Sequence, residues 1–224
     1  MNKIVRPVLA ELVGTFGFVF IGAGSILTDV YTRGSLGLVG IAIAHGLMLS
    51  VMVSAFMAVS GGQLNPAVSV GLWVAKKQGA QTTLAYTLAQ LAGASLAAYV
   101  LRALYAADVW RPVQLGTPAL AAGINPLTAF GIEAMLTFLL MTAVLGTAVD
   151  SRAPKIGGFG IGLMVAAGIL VGGPLTGASM NPARSFGPAL ASGFWEFHWV
   201  YWAGPVVGAS AAAWLYSRLI SSSH

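Results

Sequence analysis

Charged positions along the chain are bunched, and long stretches between them carry none. Residues 34–75, 78–101, 156–183 and 197–217 hold no Lys, Arg, Asp or Glu. Each run matches or exceeds the ~20 apolar residues that cross ~30 Å of hydrocarbon. The runs are continuous, whereas a β-barrel would show short alternating segments. The pattern predicts six spanning helices at about 8–28, 38–59, 82–105, 127–148, 157–173 and 197–218. Two apolar segments are left over, 65–75 and 181–191. A helix of that length rises only ~16 Å, about half the hydrocarbon core, so each must enter and leave on one side. The loops before them are Ser60-Gly61-Gly62-Gln63-Leu64 and Gly177-Ala178-Ser179-Met180. Their backbone groups lack helical partners, and such backbone survives at membrane depth only inside protein or along a watery cavity.

Both leftover segments open with the same triplet, Asn65-Pro66-Ala67 and Asn181-Pro182-Ala183. Asn is a strong N-cap and Pro suits the first helical turn, so each triplet predicts a helix starting in mid-membrane. Their separation of 116 positions nearly recurs elsewhere. Gly93-Ala94-Ser95 repeats as Gly208-Ala209-Ser210, and Glu11 with Thr15-Phe16 repeats as Glu133 with Thr137-Phe138. Three spans per half is an odd number, so the halves insert with opposite orientation, an inverted 3+3 repeat. The expected fold class is an all-α membrane protein with six transmembrane helices plus two re-entrant half-helices. It forms a single transmembrane channel domain over 1–224, with repeat 1 at about 1–110 and repeat 2 at about 125–224.

Composition agrees. The 224 residues are 57% hydrophobic and 8% charged, against ~25% charged in soluble domains. Lys3 and Arg6 precede an apolar segment, but that segment carries Glu11 and lacks a small-residue cleavage site, which marks a first helix rather than a signal peptide. The net charge of +5 lies in inter-span loops and does not indicate nucleic acid. Lys3, Arg6, Lys76, Lys77, Arg152, Lys155 and Arg218 fall on one side of the scheme; Arg33, Arg102 and Arg111 fall on the other. The excess predicts both termini in the cytoplasm. There is no cysteine, no metal-ligand spacing among the three histidines and no phosphate loop, so no metal, no cofactor and no enzymatic chemistry are expected.

Paired Asn-Pro-Ala motifs, the second extended to Asn181-Pro182-Ala183-Arg184-Ser185-Phe186-Gly187-Pro188, closely resemble the aquaporin / major intrinsic protein family. The likeness covers nearly the whole chain, including the Glu11 and Glu133 spans and Gly204-Pro205. It implies a right-handed bundle with one pore per protomer, assembled as a homotetramer. Asn65 and Asn181 would cap abutting half-helices whose positive ends repel cations and protons and whose amides orient passing water. Gly61, Gly62, Gln63, Gly177, Ala178 and Ser179 would present a ladder of backbone carbonyls. Gln63 stands where relatives commonly carry His.

The resemblance puts the outer constriction at His45, Ile169, Ala178 and Arg184. Arg184 is a permanent positive charge in an apolar region, functional by default. Strict water channels often carry Phe at the His45 position and His at the Ile169 position. The set here looks more like the plant tonoplast-intrinsic type, several members of which also pass ammonia. Ile169 removes a polar wall and Ala178 widens the opening, while His45 would fill volume and offer a hydrogen-bond partner. Glycerol facilitators usually follow Asn-Pro-Ala-Arg with Asp and a later Lys; this chain has Ser185 and Ala189, and Tyr201-Trp202 as in water channels.

Glu11 and Glu133 are acids deep in spans. A proton-coupled carrier would use them as relays; matching positions in both repeats favour acceptors for loop N–H groups instead. His198, among Trp195, Trp199 and Trp202, reads as interfacial. The expected activity is a passive channel for water, extended to ammonia, excluding protons and ions. A glycerol facilitator, a coupled carrier and a non-conducting junctional protein are the alternatives. Partners are the permeants and membrane lipid; short termini with compact loops suggest a plasma membrane, and the plant-like constriction leaves a vacuolar membrane as the alternative.

Overall fold

The computed structural model describes residues 4–152 and 156–220, so Lys3 and Lys155 of the charge count lie outside it. Nine helices are found among the described residues: α1 (Val5–Tyr31), α2 (Gly37–Ser60), α3 (Pro66–Val74), α4 (Ala80–Leu104), α5 (Ala107–Trp110), α6 (Pro126–Val144), α7 (Phe159–Thr176), α8 (Pro182–Ser192) and α9 (Val200–Leu215). Five are long and apolar enough to cross a membrane: α1, α2, α4, α7 and α6 with its extension to Val149. α9 is shorter, and a π-helical segment, Tyr216–Ile220, continues it. A second π-helical segment, Leu145–Val149, ends the α6 span. Neither widened turn was foreseen, nor were the short α5 and the 3-10 turn Gln114–Gly116 in the outer connection.

Packing follows the repeat. α1 pairs with α4 as α6 pairs with α9, α1 meets α2 as α6 meets α7, and α2 and α7 face each other across the two-fold. Each half-helix crosses over: α8 packs on α4 of the first half and α3 on α9 of the second. The repeated Gly-Ala-Ser makes the tight pairs possible. A Cβ at Gly93 would run into the Leu12 carbonyl on α1, and one at Gly208 into the Ala134 carbonyl on α6. Backbones come this close in a bilayer because small residues let them, and dispersion then replaces the missing hydrophobic drive.

The re-entrant loops have the same backbone. Gly61 and Gly177 lie at φ 90° and 80°, Gly62 and Ala178 at 58° and 44°, Leu64 and Met180 at 51° and 52°. Three non-glycine residues in the left-handed region are strained, and such geometry persists only where surroundings over-determine it.

Candidate functional site

The two buried acids supply that constraint. Glu11 accepts from the backbone N–H of Gln63 (2.9 Å) and Leu64 (2.6 Å) and from the Ser60 hydroxyl (2.6 Å). Glu133 accepts from the N–H of Ser179 (2.9 Å) and Met180 (2.8 Å) and from the Thr176 hydroxyl (2.8 Å). Both carboxylates are fully buried. Each side chain holds the loop of its own half, so the loop N–H groups are satisfied where no water would do it. Gln90 of α4 adds a donor to Glu11 at 2.7 Å, and the Tyr201 hydroxyl donates to the Thr176 carbonyl at 2.8 Å.

At the midplane the asparagines both cap and cross. Asn65 Oδ1 accepts from Ala67 N–H, and Asn181 Oδ1 from the N–H of Ala183 and Arg184. Pro66 and Pro182 occupy the first helical turn. Asn65 Nδ2 then donates to the Met180 carbonyl (2.8 Å) and Asn181 Nδ2 to the Leu64 carbonyl (2.9 Å). An amide nitrogen carries two N–H donors, so one remains on each. The crossing bonds were not read from the sequence. A third Asn-Pro start, Asn125-Pro126, caps the full-length helix α6, so the dipeptide alone does not mark a half-helix.

Two cavities flank this centre. The inner one, on the side of the described chain ends, holds about 150 Å³ and reaches Asn65 and Asn181. Gly61, Gly62, Gln63 and Ser179 line it, against an apolar wall that includes Val68, Ile161 and Val165. The outer one, about 250 Å³, is lined by Gly116, Thr117, Gly177 and Arg184 among others. His45, Ile169 and Ala178 line neither and are 1–4% exposed. No hydrogen bond from protein reaches the carbonyls of Gly61, Gly62, Gln63, Gly177, Ala178 or Ser179 among the described residues, which leaves them as acceptors. The Gln63 side chain is tied off, donating to Gln78 and accepting from Ser69.

Arg184 and His45 meet. Arg184 Nη1 donates to the Gly116 carbonyl (2.7 Å), and Nη2 lies 3.3 Å from His45 Nε2. His45 Nδ1 lies 2.9 Å from the Ile41 carbonyl. A carbonyl only accepts and a guanidinium only donates, so the ring is the neutral Nδ1–H form with its Nε2 lone pair on Arg184. In this form both ring nitrogens have protein partners. Gly22 makes room for the ring, since a Cβ there would strike it. Gly116, at φ 74°, is the residue that sequence reasoning missed, and the Gly-Thr-Pro turn was its signal. On α7, Leu170 is 44% exposed and Gly168 abuts Met180, while Ile169 between them is buried.

One cavity reaching a crossed Asn pair and a second reaching a buried guanidinium, in a helical bundle, fit a transmembrane channel. The comparisons agree. The family model for major intrinsic proteins matches residues 1–216. Aquaporin TIP4-4 of Zea mays is 47% identical over 223 residues, covering 96% of this chain and 86% of that one. Aquaporin TIP2-1 of Arabidopsis thaliana is 39% identical, covering 98% and 89%. The aquaglyceroporin of Plasmodium falciparum superposes with a TM-score of 0.87 at 25% identity, covering 97% of both chains. The chain belongs to the major intrinsic protein family. It is an integral membrane protein with the family's six spans and two half-helices, a channel and not an enzyme.

Proposed function

We propose that the chain conducts water passively in single file, excluding ions and protons. The observation that supports this is the pair of crossed asparagines at the inner cavity, with the buried Arg184 in contact with His45 and lining the outer one. A file of water passes carbonyl acceptors, meets one spare N–H from each asparagine, and faces the positive ends of α3 and α8. Glycerol transport is not better supported: the aquaglyceroporin likeness is one of fold, and Ser185 and Ala189 stand where glycerol channels usually carry Asp and Lys. The carrier alternative needs titrating relays, and Glu11 and Glu133 are instead saturated by loop donors.

Ammonia is the second permeant we propose, because the apolar residues Ile169 and Ala178 stand at the constriction positions that the family resemblance assigns. We also assign, as part of this reading, a homotetramer in lipid with both termini in the cytoplasm. The plasma-membrane expectation finds no support, since the relatives are of the tonoplast-intrinsic type. Stopped-flow light scattering on proteoliposomes, paired with an internal pH dye, tests the permeants. Water efflux well above empty vesicles is expected, with ammonia-driven alkalinisation that His45→Phe/Ile169→His removes. Absent water flux would overturn the channel reading; background ammonia flux would restrict it to water.

A further inference from the structure

The repeat relates the two ends of the lumen residue by residue. At the offset of 116, His45, Ile169, Ala178 and Arg184 correspond to Ile161, Val53, Gly62 and Val68. Gly62, Val68 and Ile161 line the inner cavity, and Gly62 sits directly against the Val53 backbone. The backbones match, as the paired φ values and N-cap geometries of Asn65 and Asn181 establish. Only the side chains differ. Where the outer end has a buried cation with two hydrogen bonds, the inner end has a valine, 3% exposed, in the same turn of its half-helix.

Building on the water-channel reading, we infer that Val68 is a second specificity-determining residue, the inner counterpart of Arg184, which sets the size of neutral solute that completes passage. The inner cavity of about 150 Å³ has room for several waters, at ~30 Å³ each. Its lining includes Gly61, Gly62 and Gln63, whose carbonyls have no protein donor among the described residues, together with the apolar Val68, Leu49 and Val165. A solute with N–H groups on one edge and no need of partners on the other is accommodated there. Its clearance depends on the side chain projecting from the first turn of α3. Val68 carries no charge and no polar atom, so the site is neutral and selects by volume.

Val68→Ala and Val68→Leu change that volume in opposite directions with no polar atom introduced. Both variants and the unmodified chain are reconstituted, and water, ammonia and urea fluxes are read on the same vesicles. The flux of the largest solute that the unmodified chain conducts, relative to water, should rise in Val68→Ala and fall in Val68→Leu, by about two- to tenfold. If water is the sole permeant, its flux per folded protomer should move the same way. Ratios cancel protein amount, and gel filtration of both variants establishes folding; should Val68→Leu fail it, Val68→Ala alone carries the test. Unchanged fluxes in the folded variants would overturn the inference and leave selection to the outer ring. No water flux in the unmodified chain would overturn the underlying channel reading instead.

Discussion

Single residues here act through the backbone and side chains that they hold in place. Arg184→Val would give the outer end the residue found inside. Water flux should persist while proton and methylammonium leak rises severalfold, read by pH-dye and swelling assays, because the permanent charge is gone. Glu133→Gln keeps the volume but turns one acceptor oxygen into a donor facing an N–H. Leaving that N–H unpaired costs ~1–3 kcal/mol, so thermal unfolding in detergent should shift down. Flux in the folded fraction should not become dependent on a pH gradient, contrary to what a carrier requires. His198 makes a pH prediction at the outer surface. Its Nε2 accepts from the Trp202 indole at 3.1 Å, and burial lowers its pKa from the ordinary 6.5. The neutral ring therefore contributes stability above that value, and the contribution is lost as pH falls through the lowered one. Tryptophan fluorescence should change with a midpoint below 6.5 and stay flat in His198→Phe.

At the level of elements, the half-helices are placed by contact with the other repeat. Gly187 on α8 lies against the Ala94 carbonyl of α4, and a side chain there would push the helix away. Gly187→Leu should lower detergent-stable yield and, in what remains, reduce water flux by displacing Arg184 three residues earlier. The inner mouth has its own tether. Ala148 and Val149 of the π-helical segment line the cavity, and Asp150 just beyond accepts from the Tyr216 hydroxyl (3.0 Å) and pairs with Arg152 (2.6 Å). Hydrogen bonds from Arg152 hold the Asp150 carboxyl below the usual carboxylate range. A depressed carboxylate keeps its stabilising contacts until pH falls through the lowered value. Water flux should thus be unchanged from neutral to mildly acidic inner pH, and Asp150→Asn, which removes the ion pair with Arg152, should alter flux alike at every pH in that range. Element positions were largely legible, because charge-free runs and Asn-Pro starts report desolvation and capping directly. The π-helical ends and the 3-10 turn were not, since they arise where a chain with no strong local preference fits its neighbours.

Across the whole molecule, the inverted repeat was readable from Asn65 and Asn181, Glu11 and Glu133, Gly93 and Gly208, all of which do the same job twice. What resisted reading was whatever depends on both halves at once. The bond from Arg184 to Gly116 joins the second half to the connection between the halves, 68 positions away, and no periodicity marks a carbonyl as an acceptor. The crossed asparagine amides are the same kind of feature. They also bear on how the chain is made. While the first half alone has left the ribosome, Asn65 has no Met180 carbonyl to reach, and α3 has no α9 to rest against. Glu11 can already hold the first loop, but synthesis must run nearly to the end before either re-entrant segment has all its partners from the opposite half. Two separately translated halves, supplied together, should therefore rescue each other, and neither should survive alone.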